Sequence, residues 1–279
     1  MPYRHAWLVV LLAFPLIAVA FWPMYLSQLT AAKPSMHLHS GTATVWFVLL
    51  ALQSWSIHNG QAALHRTAGK LALILFPVFF LAGMWVLYTM AAETAGGLNP
   101  FYAIYGAPLG IYDLIAHLVF AGLFYQALRH RRAVQLHARY MLATPLLLIG
   151  PVTARLVPLI VPGLMMRGPE DLGKFAATVH ISNGVTLVFA LLLFATAPRF
   201  GKPFLIVAAA AALQSVGFEI LGPMPAWQNA FHAYGQSPLA LALGVSLAIG
   251  LALVWFGWQA GRPAPKRAPV PAAGDSDPA

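Results

Sequence analysis

What most constrains this chain is a succession of apolar runs separated by short polar clusters. Each run is about 20 residues long, enough to cross ~30 Å of hydrocarbon as a helix. A soluble fold has nowhere to put them. Of 279 residues, 60% are hydrophobic and 8% charged, whereas a soluble domain carries roughly a quarter charged residues. The runs fall at 6–26, 38–58, 71–91, 108–128, 140–161, 178–196, 204–222 and 237–259. They predict an all-α, polytopic transmembrane helix bundle of about eight spans, because lipid-facing backbone must satisfy its own hydrogen bonds. The alternating apolar and polar residues of an outer-membrane barrel are absent.

The formal net charge of +9 reads as a topology signal and not as a nucleic-acid surface. With the N-terminus inside, 12 of the 16 basic residues fall on the cytoplasmic side, from Arg4 through Arg66, Lys70, Arg129, Arg131, Arg132, Arg139, Arg199, Lys202 and Arg262 to Lys266 and Arg267. The remaining 4, Lys33, Arg155, Arg167 and Lys174, fall in or near the outer half. Both termini are therefore expected in the cytoplasm, in a multi-pass protein of a bacterial inner membrane. Ala18-Val19-Ala20 resembles a signal-peptide cleavage site, but the run continues through Leu26, which favours an uncleaved helix. The chain divides into a single transmembrane domain over 1–260, with hairpins at 36–91 and 108–161, and a Pro- and Ala-rich cytoplasmic tail over 261–279 expected to be disordered. There are no cysteines, so thiolate metal sites and disulfides are excluded.

Ten histidines stand out among so few polar residues. His5, His58 and His130 lie where spans meet water, and His37 and His232 near an outer edge. Four of the other five follow a weak internal echo. Leu64-His65-Arg66 leads into the third span and Leu136-His137-Ala138-Arg139 into the fifth, and each follows a span with a histidine towards the outside, His39 and His117. Two antiparallel hairpins packed as a four-helix core would bring the outer pair together and the inner pair together. Neutral imidazoles in pairs are axial ligands for haem iron, here haem b, with Arg66 and Arg139 near the inner site and Arg155 near the outer one for the propionates. His117 lies about 13 Å inside its span, so His39 matches it only if the second helix begins near Ser35.

A second constellation lies in the outer halves of the spans. Asp113 and His117 share one helical face, and His180 and Glu219 lie at comparable depth. Together they are candidate ligands for zinc or another divalent metal, which would make an outer-leaflet hydrolase, or else a proton or small-solute path. Arg155 neutralising Asp113 or Glu219, with no cofactor at all, is the plain structural alternative. Pro145, Pro151 and Pro158 predict a kinked fifth span.

The run His37-x-His39, Trp46, Gln53, Gly60, Leu64-His65-Arg66, Gly69, followed by His137-x-Arg139-Tyr140-Met141 and Arg155, resembles a family of bacterial multi-pass membrane proteins defined as a domain of unknown function. The resemblance covers residues 36–157 and implies the fold and membrane location, with no activity attached. A looser similarity of histidine placement links the chain to di-haem b-type membrane cytochromes. Three functions follow as expectations: haem-based transmembrane electron transfer, with a quinone or other small molecule as donor; metal-dependent hydrolysis or transport; and a structural or assembly subunit. Whether the chain is an enzyme, and whether it forms a homo-oligomer or a membrane complex, stays open. The lipid bilayer is its one firm partner, and nucleic acid is not expected.

Overall fold

The computed structural model describes residues 3–263; most of the tail expected over 261–279 lies outside the described residues. Ten α-helices and no strand occur among those residues: α1 (Ala6–Phe21), α2 (Pro34–His58), α3 (Ala62–Gly96), α4 (Pro100–Arg129), α5 (Val134–Ala143), α6 (Ile149–Ile160), α7 (Lys174–Thr196), α8 (Lys202–Val216), α9 (Pro225–Gln236) and α10 (Leu239–Ala260). Six rods among them are long and apolar enough to cross a membrane: α3, α4, the α5–α6 rod over 134–160, α7, α8 with its last turn, and α10. The chain is thus a multi-pass helical bundle. α2 is long enough at 25 residues, but its His, Ser, Thr and Gln side chains dilute its apolar character, and α1 is only 16 residues long.

Local chemistry sets the ends of the helices. Asn99 accepts the Phe101 amide on its side chain at 3.0 Å, and Pro100 follows at the first helical position, where its missing N–H costs nothing. α3 stops where Gly97 turns left-handed at φ 67°. The kink expected in the fifth span is a break: after α5, Pro145 diverts the chain into a 3-10 turn over Thr144–Leu148 before α6 resumes. The helices depart from the hydropathy reading in several places: α1 ends at Phe21 and not at 26, α2 begins at Pro34 and not at 38, and α4 begins at Pro100, eight residues before the run at 108. α3 begins nine residues before the apolar run at 71, so that His65 and Arg66 are already helical. An additional helix, α9, lies between the seventh and eighth runs.

Sequential helices pack as neighbours from α1 through α5, and α10 lies across both α3 and α4. α6 packs on α7, α7 on α8, and α8 returns to α4. α9 lies on α3 so closely that a Cβ at Gly235 would overlap the backbone of Ala91, the near approach that small residues permit between membrane helices. The centre of the α2–α5 group is aromatic. Phe76 stacks on Phe124 at 4.1 Å between centroids, and Trp46 packs on Phe120 at 5.3 Å and Phe124 at 5.5 Å. Trp46, Phe76 and Phe124 are among the most completely buried side chains in the molecule.

Candidate functional site

The four histidines of the repeat lie in two pairs. His39 on α2 and His117 on α4 lie within electrostatic range of each other. So do His65 on α3 and His137 on α5. With α2 to α5 packed in sequence, each pair spans a diagonal of the four-helix group. α2 begins at Pro34, near Ser35, but α4 begins at Pro100, eight residues before the apolar run at 108, so depth counted from the helix ends does not match the two rings and their pairing rests on packing alone. An ion pair between Lys33 and Glu93 joins the N-terminal end of α2 to α3, short of the α3–α4 turn.

Three of these rings share a second property. His117 Nδ1 lies 2.7 Å from the carbonyl oxygen of Asp113, His137 Nδ1 2.9 Å from that of Ala127, and His65 Nδ1 3.2 Å from that of Gln53. A carbonyl can only accept, so each Nδ1 carries a proton, and in the neutral ring Nε2 is then the nitrogen with the lone pair. Fixing the ring through one nitrogen orients the other as a ligand. His39 lacks this anchor: its Nδ1 is enclosed without a partner, and its ring lies 5.5 Å from that of Phe79. The His117 ring lies against α3 at Gly83, where a Cβ would overlap it.

The aromatic centre separates the two pairs. Trp46 stands seven residues from His39 and seven from Gln53, whose carbonyl holds His65 (46 − 39 and 53 − 46). Along α2 the pairs are therefore about 21 Å apart at 1.5 Å per residue.

The cationic candidates have different surroundings. Arg155 donates Nη1 to the Pro151 carbonyl at 2.8 Å and stands 4.4 Å over the Phe21 ring, while its Nε is enclosed without a partner. It lies within electrostatic range of Asp113 and Tyr102. Arg139 is held by Gln135 and by the rings of Tyr3 and Phe200. Arg66 is exposed.

The outer carboxylates and histidines are divided between two places. Asp113 faces His117 and Arg155 in the α4–α6 region. His180 instead bonds Glu219, Nε2 to Oε1 at 2.6 Å, on the α7–α8 side. Among the described residues no three His, Asp or Glu side chains gather as a metal-binding group. The ion pairs there are Lys33–Glu93, Lys174–Asp171 and His180–Glu219.

Two further residues lie in polar surroundings: His58, placed by hydropathy where a span meets water, has an enclosed Nε2 with no partner, and Tyr102 is an electrostatic neighbour of Asp113. Only three-dimensional packing distinguishes them from ordinary interfacial side chains. No family model, curated protein or solved structure matches the chain.

Proposed function

We propose that this is a b-type haem protein that carries electrons across a bacterial inner membrane, using His39 and His117 for an outer site and His65 and His137 for an inner one. In this reading the chain crosses the membrane eight times, α1 and α2 included, with both termini cytoplasmic and α9 on the outer face. The observation that carries it is the joint placement of four imidazoles in two diagonal pairs, one on each side of an aromatic centre. The donor set fits the group. Three rings hold their proton on a backbone carbonyl and leave Nε2 as the ligating atom, and the unpartnered Arg155 Nε suits a propionate.

Haem bound between two imidazoles has no open iron position, so it supplies one-electron transfer and not oxygen chemistry. The chain's own contribution is positional. Asp113, Ala127 and Gln53 fix ring orientation through their carbonyls, and the packed centre keeps the two sites apart and excludes water. Low-dielectric surroundings of this kind strengthen the electrostatic influence of Asp113 and Arg155 on the outer pair.

Absorption spectra of the detergent-purified protein, oxidised and dithionite-reduced, test the reading. Sharp Soret and α bands are expected, with loss of part of the signal in His117→Ala and of another part in His137→Ala. A colourless preparation from haem-replete cells would overturn it.

A further inference from the structure

The His180–Glu219 pair is used by neither histidine site. It lies on the outward side of α7 and α8, with side chains 36% and 52% exposed, where a chain of this class faces hydrocarbon. Ionisable groups at such a position are costly and mark function by default.

Two neighbouring features make the position a site. Glu219 sits in a π-turn, Gly217–Leu221, closed by the Gly222 amide on the Gly217 carbonyl at 2.7 Å. Such turns re-aim side chains and recur at functional positions. From His180 inward, the same outward side of α7 forms a shallow apolar recess of about 450 Å³, lined by Ile181, Gly184, Val185, Val188, Phe189 and Leu192. Gly184 opens it, since no other atom lies near the place where its Cβ would be. Over the 11 helical steps from 181 to 192 the recess extends about 16 Å along the helix.

We propose that this surface binds an isoprenoid quinone, with the headgroup on His180 and Glu219 and the prenyl tail along the recess. A quinone ring is uncharged. Its oxygens accept hydrogen bonds when oxidised and donate them when reduced; with Nε2 of His180 on Glu219, the Nδ1–H of the protonated ring would donate to the quinone and the free carboxylate oxygen would accept from the quinol. The carboxylate of Glu219 repels a phosphate headgroup, which disfavours a membrane phospholipid in the same place. The pair and the recess carry this assignment without the haem reading. Joined to that reading, it would name the class of electron donor.

The experiment uses the full chain in phospholipid nanodiscs and an azido-substituted ubiquinone analogue with a short isoprenoid tail. After photolysis, labelled peptides are mapped by mass spectrometry. Label is expected on α7 and around 217–222, displaced by ubiquinone and not by oleic acid. His180→Gln and Glu219→Gln are each expected to weaken labelling about ten-fold, the loss of one charge-assisted hydrogen bond. Gly184→Leu fills the recess from open space and is expected to weaken it similarly without loss of fold. Labelling unchanged by all three substitutions, or displaced equally by oleic acid, overturns the proposal. Haem content is read separately from the spectrum. A colourless protein that labels sinks electron transfer alone, and a coloured one that does not label sinks the quinone site alone.

Discussion

The indole N–H of Trp46 donates to the hydroxyl of Thr144 at 3.1 Å, joining α2 to the 3-10 break 98 residues later, and both residues are buried. The bond ties the aromatic centre to the one place where the fifth rod loses its α-helical hydrogen bonds. Thr144→Val keeps the shape and removes the acceptor. It is expected to cost about 1–3 kcal/mol, the penalty of an unsatisfied buried donor. In a double-mutant cycle Trp46→Phe should recover part of that loss. Thermal unfolding in detergent measures both.

Asp113 and Arg155 lie within electrostatic range of each other without forming a contact ion pair. Arg155→Met removes the cation near Asp113 together with its hydrogen bond to the Pro151 carbonyl and is expected to cost about 1–3 kcal/mol. Arg155→Met with Asp113→Asn should be more stable than Arg155→Met alone. If the double variant is the weaker of the two in thermal unfolding, the charges do not compensate each other.

The His117 ring lies where a Gly83 Cβ would be. Gly83→Val is therefore expected to displace the ring and abolish the outer haem while the inner one remains. Gly122→Ala, on α4 with open space around it, should leave both. Haem content per polypeptide and the reduced spectrum distinguish the two outcomes.

With no native cysteine, single-cysteine labelling can read topology without background. Leu98, 93% exposed in the α3–α4 turn, belongs outside in the proposed orientation, and Arg132 inside. Leu98→Cys should react with an impermeant maleimide in intact cells, and Arg132→Cys only after permeabilisation. The reverse pattern would invert the protein.

Much of this architecture could be read from hydropathy and histidine spacing. The echo of Leu64-His65-Arg66 in Leu136-His137-Ala138-Arg139 predicts neighbouring positions for His65 and His137, and the two lie within electrostatic range of each other. Other features were hidden for physical reasons. Hydropathy reports solubility in lipid, not helicity, so the polar first turns of α3, with His65, Arg66 and Lys70, were left out of the third span although they are helical. α9 escaped because its apolar residues, Trp227 and Phe231, alternate with Gln228, Asn229 and His232 and never form a run. The division of Asp113 from the His180–Glu219 pair could not be read at all, since depth in a span says nothing about which side of the bundle a residue faces.

The π-turn at the end of α8 places one more residue between Gly217 and Gly222 than an α-helical turn would hold. It is a shift of phase: the chain beyond the turn is rotated by about 100° relative to an uninterrupted α-helix. Gly222 can then lie against Pro108 of α4 while Glu219 reaches His180 from the same turn. Both contacts depend on that single surplus residue. In this segment chain length by itself is information, and a sequence with every side chain type retained but one position removed would lose the alignment of the two.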